Sequence, residues 1–124
     1  RYYRNARELL ARCKVEDQIY QDVKPVQEAF GTAWLAVDKA IKASLRQRGL
    51  SEKQIPESWE PLSAAVAKHL AVHNGKLRKL LSIVYQQIHL DGYYRGSFTL
   101  PVQAKAAFDL ARRLIETLSG RKIG

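Results

Sequence analysis

A chain of 124 residues has the length of one domain, and 46% hydrophobic residues supply a core, which excludes a disordered tail. No apolar run nears the roughly 18 residues needed to span a bilayer as a helix. The lone cysteine, Cys13, excludes an internal disulfide and a cysteine-rich zinc site.

The net charge of +9 raises the expectation of an anionic partner: nucleic acid, nucleotide or an acidic protein surface. A reducing cytoplasmic location fits the single cysteine. The chain begins at Arg1 and contains no methionine, so the native start is expected upstream.

The first segment, YYRNARELLARC, repeats Tyr2, Ala6, Leu9, Leu10 and Cys13 at helical spacing, which predicts a helix with Cys13 as a small core residue. The polar run KVEDQIYQD predicts a turn. Asp22 is placed to cap a second helix, with Pro25 in its first turn, where a missing N–H is harmless. That helix runs from about Val23 to Arg48. Its core stripe is Val26, Phe30, Ala33, Val37, Ile41 and Leu45, with Trp34 on the flank. Gly31 interrupts it and would let a neighbouring element approach closely. Gly49 ends it as a left-handed cap.

Residues 50–57 read as a loop. Ser58 and Pro61 announce a third helix with Trp59, Leu62, Val66 and Leu70 inside, stopped by HNG at 73–75. Asn74 is placed to cap a fourth helix with Leu77, Leu80, Leu81, Val84, Tyr85 and Ile88 as its stripe. LDGYYRGSFTLP reads as the last loop, with Asp91-Gly92 as a helix stop. Thr99 caps and Pro101 opens a fifth helix. Val102, Ala106, Leu110, Leu114 and Leu118 are its stripe, broadened by Phe108, Ala111 and Ile115, and Ser119-Gly120 closes it. No strand is predicted. Short connections between amphipathic helices favour an all-α, antiparallel up-and-down bundle of four to five helices spanning residues 1–124.

The order of these parts resembles the HEPN superfamily of small bacterial and archaeal helical bundles. The resemblance rests on YYRNARELL in the first helix, DKAIKASLRQRG at the end of the second, PESWEPLSAAV at the third, and the closing YYRGSFTLPVQAKAAFDLARRLIETL. An uncharacterised Bacteroidetes family within or beside that superfamily is a closer resemblance. The HEPN resemblance implies a bundle that is often a homodimer, acting as a ribonuclease, a toxin paired with a nucleotidyltransferase antitoxin, or a nucleotide-binding or accessory module. The ribonuclease members carry an Arg shortly followed by a His, to hold a phosphate and to move a proton. Here the histidines are His69, His73 and His89, and the nearest arginine before His89 is Arg78, eleven positions upstream. Ribonuclease activity is therefore not expected.

Three stretches could carry function. HLDGYYRG offers His89, Tyr93, Tyr94 and Arg95 as a ligand-binding lip, with Arg95 meeting a phosphate and a tyrosine stacking a base. Its plain alternative is a helix-ending turn. HLAVH sets His69 and His73 four apart, half a metal site on a helix face. The Glu that zinc hydrolases place after the first His is replaced by Leu70, so no metal or cofactor is expected. RYYRNAR puts Arg1, Arg4 and Arg7 in one arc with Tyr3 beside them; with Arg78 and Lys79 they form a candidate basic surface. The expectation drawn from the whole is a non-catalytic binding or interaction module that associates with itself. Nucleic-acid or nucleotide binding is the alternative, a protein partner is a third, and no membrane is involved.

Overall fold

The computed structural model describes residues 1–123. The elements are α1 (Tyr2–Ala11), a hairpin of β1 (Val15–Glu16) and β2 (Ile19–Tyr20), α2 (Val23–Gln47), a 3-10 turn (Glu52–Gln54), α3 (Trp59–His69), α4 (Gly75–Val84), a π-helical segment (Tyr85–Tyr94) and α5 (Pro101–Ser119). The architecture is an all-α bundle with one minute sheet. α2 is its axis: α1, α3, α5 and the π-helical segment all pack against it, and α4 packs on α5 and the π-helical segment.

The periodicity of α2 is obeyed throughout. Val26, Phe30, Ala33, Val37, Ile41 and Leu45 are all buried. The Asp22 carboxylate accepts from the Lys24 N–H, and Gly49 adopts φ 97°, as a left-handed stop after the last turn requires. Asn74 caps α4 by accepting from the Leu77 N–H. Cys13 is buried, its thiol directed to the Leu9 carbonyl, and burial raises its pKa, so it is an inert core group.

Elsewhere the structure corrects the sequence reading. The KVEDQIYQD turn is a true hairpin: Val15 pairs with Tyr20 and Glu16 with Ile19 in antiparallel register. Asp17 and Gln18 both take positive φ (52° and 65°), the geometry a two-residue hairpin turn demands. The Tyr20 N–H also donates to the Thr99 carbonyl, tying the hairpin to the approach to α5. In α1 the buried aromatic is Tyr3, not Tyr2. Its ring lies 6.3 Å from that of Phe108, and its hydroxyl donates to the Phe108 carbonyl. In α5, Phe108, Ala111, Leu114 and Ile115 are buried as expected, joined by Ala104 and Ala107, whereas Val102 is 73% exposed and Ala106 is exposed. Leu100, not Thr99, occupies the N-cap position, without a side-chain cap.

The largest departure is at residues 85–94. No loop follows Ile88. The chain continues as a π-helix, and the Arg95 N–H donates to the Leu90 carbonyl five residues back. A π-helix winds more residues per turn than an α-helix, so positions four and five apart share a face. Val84, Ile88 and Gly92 form the inward strip and are buried. Gly92 is not a stop. A Cβ there would lie 2.1 Å from Cδ1 of Phe30, so the glycine lets the segment close on the core. Phe30 stacks on Phe98 at 4.7 Å and meets Phe108 edge-on at 5.0 Å. Gly96, with φ 60°, follows the end of the segment, and Gln27 on α2 donates its amide to the Tyr93 carbonyl at 3.0 Å.

Candidate functional site

The outward strip of the π-helical segment is aromatic. Tyr85, His89 and Tyr93 follow at intervals of four, with Tyr94 beside the last. Trp34 from α2 and Trp59 from α3 complete a continuous ring cluster. Trp59 and Tyr85 stack in parallel at 4.0 Å. Trp34 meets Trp59 and Tyr85 edge-on, both at 5.5 Å, and lies 4.8 Å from His89. His89 then stacks toward Tyr93 at 6.0 Å and meets Tyr94 edge-on at 4.9 Å. The cluster is half-buried at Trp34, Trp59, Tyr85 and His89, and open at Tyr93 and Tyr94.

His89 sits inside this cluster. Its Nδ1 is buried and has no hydrogen-bond partner among the described residues. Desolvation lowers its pKa; the charge of Asp38 acts in the opposite sense but does not prevail. The Asp91 carboxylate instead accepts from Arg95, at 2.9 Å, and from the Gln86 amide, at 3.1 Å. Among the described residues no hydrogen bond joins His89 to Asp91.

Beside the rings lies a groove of about 630 Å³ along the outer face of α2, lined by Glu28, Gly31, Thr32, Trp34, Leu35, Asp38, Lys42, Glu57 and Tyr93. Glu28, Gly31, Leu35, Asp38 and Lys42 recur every three or four residues, which places them on one face of the helix. Gly31 is necessary to this wall, since a Cβ there would lie 2.8 Å from Cδ1 of Tyr93. Lys42 bridges Asp38 at 3.1 Å and Glu57 at 2.9 Å. Burial acts to lower the Lys42 pKa, but the hydrogen bonds to Glu57 and Asp38 outweigh it and raise it. Glu28, at the other end, has no ion-pair partner among the described residues. Three carboxylates therefore face one ammonium in a chain whose net charge is +9.

The sequence-predicted residues are placed as follows. His89, Tyr93, Tyr94 and Arg95 do come together, but on a helix, and Arg95 is held by Asp91. His69 and His73 do not share a face: α3 ends at His69, and His73 lies exposed in the turn before α4. Arg1, Arg4 and Arg7 are exposed at the start of the chain and on α1, while Arg78 and Lys79 are exposed on α4. These two helices pack on different partners, α1 on α2 and α4 on α5, and the Arg7 guanidinium lies 5.8 Å from the Tyr3 ring centre. Sequence reading missed the partnership of Trp34 and Trp59 with the tyrosines, and the acidic groove. Its signal was present in the Glu28–Gly31–Leu35–Asp38–Lys42 repeat, opposite the core stripe.

The fold and this surface define a small helical bundle with an aromatic, acidic groove on its central helix. The chain belongs to the family described as a domain of unknown function, DUF5618, whose model matches residues 1–120. It is also similar to a solved protein of unknown function from Dyadobacter fermentans, with a TM-score of 0.71 at 25% identity, covering 97% of this chain and 88% of that one. No curated protein matches significantly. The expectation of an uncharacterised family is met, and neither relative is described as a HEPN protein. Among the described residues no helix is long and apolar enough to cross a membrane.

Proposed function

We propose that this protein is a non-catalytic binding module whose working surface is the α2 groove and its aromatic lip. The observation that carries the reading is the π-helical segment. π-Helical geometry is rare, and its single-turn form within α-helices is frequent at functional sites. Here the wider winding holds three rings in file beside a groove of ligand-sized volume. A simple turn would have closed the bundle without it.

Nucleic-acid binding at this lip is the weaker reading. The carboxylates of Glu28, Asp38 and Glu57 repel phosphate, and Arg95 is occupied by Asp91. Self-association is favoured by Tyr94, which stands 65% exposed at the open end of the ring cluster. Light scattering across micromolar concentrations tests it: a dimer in the native chain and a monomer in Tyr94→Ser support it, and a monomer in both removes it.

A fragment screen read by protein NMR tests the binding surface itself. The shifts caused by aromatic fragments are expected to cluster at Gly31, Thr32, Leu35 and Tyr93. Shifts scattered over the surface, or gathered elsewhere, contradict the proposal.

A further inference from the structure

We infer that the groove takes a small organic monocation, an ammonium carried on an apolar or aromatic body. The inference rests on the groove being the working surface. Its first support is the wall chemistry. Trp34 and Tyr93 line the groove, and an aromatic ring attracts an ammonium placed over its face. Leu35 supplies apolar surface for the body of the ligand, and Gly31 leaves the wall flat beneath Tyr93.

The second support is the charge pattern. Glu28 has no ion-pair partner among the described residues, and it stands one turn from Gly31 and Thr32. A bound ammonium would form a charge-assisted hydrogen bond with this exposed carboxylate. Asp38 and Glu57 share the Lys42 ammonium, which leaves Glu28 as the groove carboxylate without an ion pair among the described residues. The net charge of +9 opposes polycations and basic peptides as they approach. Anions meet Glu28 and Asp38 at the groove itself. A single positive charge beside an apolar body is the chemistry these groups jointly accept.

Phenethylammonium, 2-phenylethanol and 3-phenylpropionate carry one ring with a positive, neutral and negative head, and titration of each, followed by protein NMR, tests the inference. The cation is expected to bind at the groove roughly tenfold more tightly than the alcohol, and the carboxylate more weakly than either. Glu28→Gln, at an exposed position that does not endanger the fold, is expected to weaken the cation roughly threefold to tenfold and leave the alcohol unchanged. Equal binding of cation and alcohol at the groove overturns the cation inference and leaves the binding surface standing. Binding of none of the three at Gly31, Thr32, Leu35 or Tyr93 overturns both.

Discussion

Tyr93 lies against Gly31 so closely that a Cβ on the glycine would meet the ring at 2.8 Å. One residue away, Gly92 stands against Phe30, where a Cβ would meet the ring at 2.1 Å. These two contacts couple α2 to the π-helical segment from opposite sides of the same seam. Their consequences differ, because Tyr93 is 42% exposed and can swing outward, whereas Phe30 is fully buried among Phe98 and Phe108.

Gly92→Ala is therefore expected to destabilise the fold by about 3 kcal/mol through overpacking. Gly31→Ala gains about 1 kcal/mol of helix propensity and loses a comparable amount to displacement of the tyrosine. Its stability should barely change, while the Tyr93 ring signals move and groove binding weakens. Chemical denaturation and NMR of the two variants check this pair of outcomes; equal destabilisation would contradict it.

The half-buried His89, whose Nδ1 is enclosed without a hydrogen-bond partner among the described residues, makes stability depend on pH. Its folded pKa lies below the unfolded value near 6.5, because desolvation disfavours the charged ring. The unfolded chain binds the proton more readily, so the contribution is complete above that value and is lost as pH falls below it. Denaturation midpoints of the native chain and His89→Phe, compared between pH 7 and 5, should diverge. A parallel fall in both would show that His89 does not titrate in this way.

Arg95 is tied to Asp91 within its own segment. Any binding of single-stranded nucleic acid by this basic chain should accordingly be non-specific and salt-sensitive, and should survive Arg95→Ala with the same salt slope. Anisotropy at two salt concentrations measures this. A slope reduced by about one unit in the variant would restore Arg95 as a phosphate contact.

Trp59 and Tyr85 stack in parallel at 4.0 Å and join the start of α3 to the π-helical segment, while Leu62 and Val66 bury the rest of α3 in the core. Trp59→Leu should cost about 1 kcal/mol beyond the lost apolar area. It should also remove much of the near-ultraviolet circular dichroism, since the chain has two tryptophans and both lie in this cluster.

The long helices were legible because their apolar repeats are strict: every residue of the α2 stripe is buried, and Asp22, Asn74 and Gly49 do what their chemistry dictates. The residues of the lip were legible by type, but not their geometry. Asp91-Gly92 carries the local signal of a stop, and that signal was overridden by Phe30, whose ring needs the missing Cβ. A π-helix has no local code that separates it from a polar turn. The hairpin escaped notice because two-residue strands show no alternation and Asp17-Gln18 lacks the glycine that usually marks such a turn. In α5 the spacing places Phe108, Ala111, Leu114 and Ile115 inside, but at its start the small Ala104 and Ala107, not the larger Val102, turn inward.

Intermolecular NOEs between phenethylammonium and the protein decide whether the groove is the binding site. Contacts are expected from the ligand's methylene protons to the rings of Trp34 and Tyr93, and their loss in Glu28→Gln at the same ligand concentration. Contacts confined to other parts of the surface, or contacts indifferent to Glu28, would contradict this assignment.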